Sequence, residues 1–199
     1  NQAITQKQEK INEDSHYGWA KNYALPLIEP KLRILAEVAQ ALAVAHENQI
    51  LHRDIKPENV LISNQGEAKL TDLGLARSLS RMTMTKTGML VGSLAYMAPE
   101  IIDMDDATEK SDIFSFGVLA FELLTLARPF PGETPQAIIR QIALGSPRVP
   151  SELEPLVPKS IAALNLACLK TKPEDRPKAI WHVYAEFKSA LLDSGIYSF

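Results

Sequence analysis

Two stretches of the chain carry apolar residues around nearly the whole helical circumference, and they predict the two central helices. The first stretch covers residues 31–47 and the second covers residues 108–127. Because a helix that is apolar on all sides belongs in a protein core, we expect both to be buried. Asn48 should end the first helix in a left-handed conformation, Thr108 should cap the second, and Pro129 should end the second.

Weaker patterns predict three more helices. One should begin at Thr134 and stop at Gly145, because threonine is a good helix cap and glycine tolerates the left-handed stop. The others are expected over residues 160–169 and 179–192. Prolines make the intervening residues 146–159 an extended connector.

One β-hairpin is predicted where two short apolar runs flank an Asn-Gln-Gly turn. Its strands should cover residues 60–62 and 68–70, and the run 49–51 is also strand-like. Residues 74–98 lack a sustained period, and a connection of that length is usually functional or mobile. The predicted fold class is mainly α with short β-hairpins.

Composition indicates one globular domain and argues against binding to nucleic acid and against a membrane span. The 199 residues are 46% hydrophobic, and the net charge of −3 provides no basic field for nucleic acid. Cys168 stands alone, so we expect no intrachain disulfide and a reducing, cytoplasmic setting. No apolar run approaches the roughly 18 residues of a membrane span. The polar residues 1–24 and the tail 193–199 should lie outside the core.

One loop holds most of the candidate chemistry. Residues 52–59 are His-Arg-Asp-Ile-Lys-Pro-Glu-Asn, which places a carboxylate, an ammonium group and an amide close together. Short apolar runs on both sides should fix the ends of the loop while its charges stay accessible. A second carboxylate, Asp72, follows the hairpin. Taken alone, the loop also fits a surface turn whose charges pair with each other.

Three residues in the predicted helices stand out for their side chains. Asp112 lies at the start of a buried helix and must find hydrogen-bond donors, because an unpaired buried charge is very costly. His46 is more consistent with packing or capping than with catalysis, and Cys168 with packing.

Several separated motifs resemble those of eukaryotic-type serine/threonine protein kinases, in the family's order. They are the loop 52–59, Asp72-Leu73-Gly74, Ala98-Pro99-Glu100, residues 112–117 and Arg176. The resemblance covers residues 25–192, which would form the C-terminal lobe of the kinase fold. Residues 92–100 are similar to bacterial members, and Lys56, two positions after Asp54, is similar to the serine/threonine class.

The resemblance implies an ATP- and Mg²⁺-dependent transfer of phosphate to serine or threonine of a protein substrate. Asp54 would orient the substrate hydroxyl and accept its proton, and Lys56 would neutralise the transferred phosphoryl group. Asn59 and Asp72 would hold the magnesium ions. Ser93 would hydrogen-bond Asp54 and Lys56.

The remaining implied roles concern the nucleotide, regulation and structure. Nucleotide-binding residues would include Lys56, Glu58, Asn59, Leu61 and Asp72, with Leu61 beneath the adenine ring. Arg53 would receive a phosphate on Thr83, Thr85 or Thr87. The structural set comprises His52, Leu73, Glu100, Asp112 and Arg176, with Asp112 accepting backbone donors from the loop and Glu100 paired with Arg176.

The sequence departs from the kinase pattern upstream of the loop. Gly18 is the only glycine before Gly66, so no glycine-rich phosphate loop is present, and residues 1–24 supply no lysine-bearing strand. We therefore expect a fragment that lacks the N-terminal lobe, that needs this lobe in cis or in trans, and that has little activity alone. The alternative is a non-catalytic, kinase-like binding or scaffold module.

Overall fold

The computed structural model of the chain describes residues 28–73 and 90–193. The helices in these ranges are α1 (Ile28–Glu47), α2 (Leu90–Leu94), α3 (Pro99–Ile102), α4 (Glu109–Thr125), α5 (Pro135–Leu144), α6 (Pro150–Leu153), α7 (Lys159–Cys168) and α8 (Ile180–Asp193). The same ranges contain the strands β1 (Val60–Ile62) and β2 (Ala68–Leu70), with short 3₁₀ turns at Pro57–Asn59 and Pro173–Asp175. The mainly helical architecture is confirmed.

Helix α4 is the centre of the described fold, as its apolar pattern predicts. Its side chains are buried around most of the circumference, and α1 and α7 pack against it. Phe116 of α4 meets Phe187 of α8 edge to face at 5.9 Å between ring centroids. On another side of α4, Phe114 stacks on Phe130 at 5.9 Å. These ring contacts join α4 to elements distant in sequence.

Helix α4 begins where the sequence predicts, but it ends earlier than predicted. Thr108 is the cap, and its hydroxyl oxygen accepts a hydrogen bond from the Lys110 backbone at 3.2 Å. The helix ends before Pro129, because Leu126 adopts a left-handed conformation with a φ of 55°. Helix α5 begins after Thr134 and stops at Gly145, with a φ of 61°, as predicted.

The prediction that Asn48 stops α1 in a left-handed conformation is wrong. The left-handed residue is Gln49, with a φ of 59°, whereas Asn48 caps the helix by donating its side-chain amide to Val44 O at 2.8 Å. The strand predicted at 49–51 is also absent from the described structure. Ile50 N donates to Ala45 O at 2.9 Å, so this backbone closes the end of α1 instead of pairing with a strand.

The hairpin forms as predicted and is anchored on α1. Strands β1 and β2 are antiparallel, with Val60 opposite Leu70, and Gly66 in the turn has a φ of 82° that favours glycine. The backbone N–H of Ala68 donates to Glu37 Oε2 of α1 at 2.5 Å. This contact holds the hairpin against the helix that precedes the charged loop.

Two connecting segments hold more structure than their sequences indicate. The proline-rich connector contains the short helix α6, and residues 90–98 contain α2. Predictions for residues 1–24, 74–89 and 194–199 lie outside the described residues. Across the described ranges, no helix has both the length and the apolar character needed to cross a bilayer.

Candidate active site

The charged loop is attached to the core by one buried carboxylate. Asp112, in the first turn of α4, is 2% exposed. Its Oδ2 accepts hydrogen bonds from His52 N at 2.8 Å and His46 Nε2 at 2.9 Å, and its Oδ1 accepts from Arg53 N at 2.8 Å. These donors replace the water that the charge loses on burial. The start of the loop is therefore fixed to α4, with His46 of α1 completing the contact.

His52 links the loop to the end of the hairpin. Its ring is fully buried, with Nε2 at 2.8 Å from Thr71 O and Nδ1 at 3.3 Å from the Asp54 backbone N. A carbonyl oxygen can only accept and a backbone N–H can only donate, so these contacts assign the hydrogen to Nε2. The neutral tautomer thus holds the backbone of Asp54 on one side and the residue before Asp72 on the other.

Asp54, Lys56 and Asn59 converge at the tip of the loop. Lys56 Nζ lies 2.7 Å from Asp54 Oδ2, and Asn59 Nδ2 donates to the same oxygen at 3.0 Å. Asn59 Nδ2 also donates to Asp54 O at 2.7 Å. The 3₁₀ turn Pro57–Asn59 brings Asn59 back toward Asp54, and its first residue, Pro57, restricts the backbone there. The Asp54 carboxylate is oriented by two donors from its own loop.

Asp72 lies on the same side of the molecule, at the end of the hairpin. Thr71 N donates to Asn59 O at 2.9 Å, and the Thr71 hydroxyl donates to the same oxygen at 3.2 Å. Thr71 Oγ1 is also 3.5 Å from Asp72 Oδ2. Asn59 and Thr71 therefore lie between the carboxylates of Asp54 and Asp72.

The oxygen atoms of Asn59 and Asp72 suit Mg²⁺. Both hydrogens of the Asn59 amide point to Asp54 oxygens, so the amide oxygen is the atom that this side chain can offer to a cation. An amide and a carboxylate oxygen are hard ligands, and Mg²⁺ is typically held by one or two carboxylates together with phosphate and water. Among the described residues, no group of three or more His, Cys, Asp and Glu forms a metal cluster. The pair fits an ion that is shared with a nucleotide.

Ser93 approaches Lys56 but not Asp54. Lys56 Nζ donates to Ser93 Oγ at 3.4 Å, a long hydrogen bond. The second expected bond, between Ser93 and Asp54, is not among the hydrogen bonds of the described residues. The structure therefore joins Ser93 to the site through the lysine.

Four other predicted site residues, Arg53, Glu58, Leu61 and Leu73, occupy exposed positions. The side chain of Leu61 on β1 is 57% exposed, and that of Leu73 is 44% exposed. Arg53 and Glu58 are exposed, and Arg53 has a positive φ of 67°. Thr83, Thr85 and Thr87 lie outside the described residues, so the structure places no threonine near Arg53.

The segment after Ser93 is attached to α4 by a buried polar group. Tyr96 OH donates a very short hydrogen bond to Glu122 Oε2, and Ser115 Oγ donates to Tyr96 O at 2.7 Å. Burial raises the pKa of Glu122 to about 7, although Tyr96 and Arg128 act in the opposite direction. Burial, and then Glu122, raises the pKa of Tyr96 well above its ordinary value.

Glu100 and Arg176 form a bidentate ion pair beneath the site. Arg176 Nη1 donates to Glu100 Oε1 at 2.7 Å, and Nη2 donates to Oε2 at 2.8 Å. Burial on its own would raise the pKa of Glu100, but hydrogen bonds from Arg176, a backbone amide and Ser111 hold it below the ordinary value. The pair joins α3 to the turn that precedes α8.

Three residues that the structure connects to this region, His46, Glu122 and Thr71, were not predicted as part of it. Asp112 was expected to find donors, but His46 was not identified as one of them. Glu122 could have been singled out in the same way as Asp112, because a carboxylate within an apolar helix needs hydrogen-bond donors. Thr71 gave no signal of its own beyond its position directly before Asp72.

Comparison with known proteins places the chain in a family. The sequence profile of the protein kinase domain matches residues 9–187. Serine/threonine-protein kinase PrkC of Bacillus subtilis is 39% identical over 166 residues, which are 82% of this chain and 26% of PrkC. The probable serine/threonine-protein kinase pknA2 of Bifidobacterium longum is 38% identical over 152 residues, 74% of this chain and 20% of that protein.

A third relative is named as a tyrosine kinase. Tyrosine-protein kinase MasK of Myxococcus xanthus is 38% identical over 168 residues, which cover 80% of this chain and 26% of MasK. The chain thus spans roughly a fifth to a quarter of the length of these relatives. The family profile, over residues 9–187, spans every motif described above. The chain belongs to the protein kinase domain family, with a C-terminal-lobe fold and relatives among the eukaryotic-type serine/threonine kinases of bacteria.

Proposed function

We propose that this chain carries the catalytic residues of a serine/threonine protein kinase that transfers phosphate from ATP to protein hydroxyls. One observation carries the proposal. The Asp54 carboxylate lies 2.7 Å from Lys56 Nζ and 3.0 Å from Asn59 Nδ2, and Asn59 and Thr71 connect this group to Asp72. A proton acceptor, a cation and two oxygen ligands thus share one side of the fold.

Each residue has a role that its chemistry supports. Phosphoryl transfer depends on aligned reactants and on positive charge near the transferred oxygens, more than on covalent participation by the protein. Asp54 orients the substrate hydroxyl and accepts its proton. Lys56 places positive charge beside the transferred phosphoryl group. Asn59 and Asp72 hold Mg²⁺. When bound, ATP would supply the phosphoryl group, and Mg²⁺ would neutralise charge on its phosphates.

The preference for serine and threonine rests on Lys56. This lysine lies two positions after Asp54, and its ammonium group contacts both Asp54 and Ser93 at the tip of the loop. Two of the relatives named above are serine/threonine kinases and one is a tyrosine kinase, so similarity alone leaves both hydroxyl types open. We assign serine and threonine on the lysine, and a comparison of serine-, threonine- and tyrosine-containing peptides tests the assignment.

We further propose that these residues act with a β-rich N-terminal lobe, in cis or in trans. The chain has no glycine-rich loop before residue 52, and the apolar side chains of Leu61 and Leu73 are exposed beside the candidate site. A covering lobe would bury them against a nucleotide, with Leu61 beneath the adenine ring and Glu58 among the nucleotide-binding residues. We infer a reducing, cytoplasmic setting from the single cysteine of the chain, Cys168, which is buried.

Substitution of Asp54 in the full-length protein tests the catalytic proposal. We expect Asp54→Ala to lower kcat by at least the ~10²–10⁴-fold typical of a lost positioned base, with an unchanged melting temperature. The measurement is transfer of labelled phosphate to a serine peptide, with Asp193→Ala at the exposed end of α8 as the matched control. Near-normal turnover in Asp54→Ala would contradict the assignment of the base.

The same assay separates the kinase proposal from the lobe proposal. The 199 residues alone should give negligible incorporation, and robust incorporation by them would contradict the need for a second lobe. If the full-length protein neither binds Mg²⁺–ATP nor transfers phosphate, the non-catalytic scaffold becomes the better assignment.

A further inference from the structure

Thr71 occupies the junction of three groups in the candidate site. Its backbone N–H donates to Asn59 O at 2.9 Å, and its carbonyl accepts from His52 Nε2 at 2.8 Å. Its hydroxyl donates to Asn59 O at 3.2 Å and lies 3.5 Å from Asp72 Oδ2. The backbone contacts hold Thr71 beside Asn59 and His52, and its hydroxyl oxygen lies between Asn59 O and Asp72 Oδ2.

The hydroxyl has one hydrogen for two acceptors. Asn59 O already receives the Thr71 backbone N–H, so it keeps a partner when the hydroxyl turns away. Asp72 Oδ2 carries the negative charge, and a hydrogen bond to a charged acceptor is about twice as strong as one between neutral groups. Rotation of this single bond therefore lets Thr71 support the carboxylate of Asp72 without disturbing the backbone of Asn59.

Asp72 needs local support for its conformation. It has a φ of 60°, which lies in the left-handed region that is unfavourable for a residue with a side chain. The Asp72 side chain is exposed, so no packing holds its carboxylate in one direction. Thr71 Oγ1 is the polar side-chain atom that the described contacts place beside that carboxylate.

We propose that Thr71 is a positioning residue for the magnesium ligands, whose hydroxyl sets the direction of the Asp72 carboxylate relative to Asn59. The proposal rests on the assignment of Asn59 and Asp72 as magnesium ligands in the proposed function. In this proposal Thr71 acts on the ion through Asp72. Loss of its hydroxyl should weaken Mg²⁺-dependent binding while leaving the fold intact, because its backbone hydrogen bonds remain.

Two matched pairs of side chains isolate the hydroxyl. Thr71→Val replaces the hydroxyl by a methyl group of similar size, so it is compared with the native threonine. Thr71→Ala and Thr71→Ser both lack the γ-methyl group and differ only in the hydroxyl. The second pair keeps the test valid even if valine at this position disturbs folding.

The experiment is a calorimetric titration of Mg²⁺ into the full-length protein with a non-hydrolysable ATP analogue present, repeated in EDTA to measure binding of the analogue alone. We expect Thr71→Val and Thr71→Ala to weaken Mg²⁺ affinity by about tenfold or more, the usual effect of losing a group that orients a metal ligand. Thr71→Ser should stay close to the native value. Binding in EDTA and the metal-free melting temperature should be unchanged.

The outcomes separate the two proposals. Native affinity for Mg²⁺ in Thr71→Val and Thr71→Ala would overturn the role of the hydroxyl. Equal losses in Thr71→Ala and Thr71→Ser would also overturn it, because the methyl group would then be responsible. Absence of Mg²⁺-dependent binding in the native protein, or its full retention in Asp72→Asn, would instead refute the magnesium assignment, and this inference with it.

Discussion

Asp112 and Glu122 are carboxylates buried in the same helix, α4, and they differ in their hydrogen-bond partners. Asp112 accepts hydrogen bonds from two backbone amides and from His46. Glu122 has Tyr96 on Oε2, whereas its Oε1 has no hydrogen-bond partner among the described residues and lies 3.4 Å from Arg128 Nε. Burial therefore raises the pKa of Glu122 to about 7, from 4.5.

This shift predicts a loss of stability as pH rises. Between pH 4.5 and 7 the folded protein keeps a proton on Glu122 that the unfolded chain has released, so the contribution is present at low pH and is lost as pH rises through about 7. The free energy of unfolding, measured with urea, should fall between pH 5 and pH 8 by on the order of 2 kcal/mol from this group.

Glu122→Gln should remove that part of the pH dependence, since an amide does not titrate. Glu186→Gln, on the exposed face of α8, is the matched control and should leave the native slope unchanged. An identical slope in Glu122→Gln and native protein would show that Glu122 is not the titrating group.

At the scale of helices, Gly117 sets the distance between α4 and α7. A Cβ atom at Gly117 would lie 2.8 Å from Cys168 Cβ and 3.2 Å from Leu169 Cδ2. The Gly117 carbonyl also accepts a hydrogen bond from Asn165 Nδ2 of α7 at 2.8 Å. The glycine thus permits a close approach that includes both packing and a buried hydrogen bond.

Gly117→Ala should destabilise the protein, because overpacking typically costs about 1–3 kcal/mol and exceeds the helix-propensity gain of about 1 kcal/mol. Gly92→Ala is the control in α2, since nothing lies within 4 Å of its added Cβ. It should leave the urea midpoint unchanged or raised. Equal midpoints for the two variants would contradict the close approach of α4 and α7.

The elements that the sequence predicted are those with a strong period or a specific turn. Helices α1 and α4 and the hairpin were predicted because their apolar positions and the Asn-Gln-Gly turn depend on local sequence. The left-handed conformation of Gln49 was not predicted. The chain there turns so that Ile50 N donates a hydrogen bond to Ala45 O, instead of forming a strand. Partners such as His46 and Asp112 are 66 residues apart, and a single sequence carries no signal for that pairing.

For the molecule as a whole, Arg176 joins segments of the described chain that are distant in sequence. Its guanidinium pairs with Glu100 of α3 and donates to Lys110 O at 2.8 Å, Lys170 O at 2.7 Å and Thr171 O at 2.8 Å. The same group lies 5.0 Å from the centre of the Phe114 ring. Its planar set of donors satisfies three carbonyls from two segments, at Lys110 and at Lys170–Thr171, together with one carboxylate.

Arg176→Lys should therefore be nearly as harmful as Arg176→Ala, because one ammonium group cannot reach the acceptors that the guanidinium spans. Breaking one side of a buried pair costs about 3–5 kcal/mol, and both variants should lose that much in urea unfolding. Lys188→Ala, at an exposed position on α8, should lose far less stability.

Because the pKa of Glu100 is lowered, the Glu100–Arg176 pair contributes stability above the ordinary pKa of 4.5, and this contribution is lost as pH falls below that value. The native protein should thus lose stability on acidification below about pH 4.5, and Arg176→Ala should show a smaller loss over that range. A lysine variant as stable as the native protein would mean that charge alone holds these segments together.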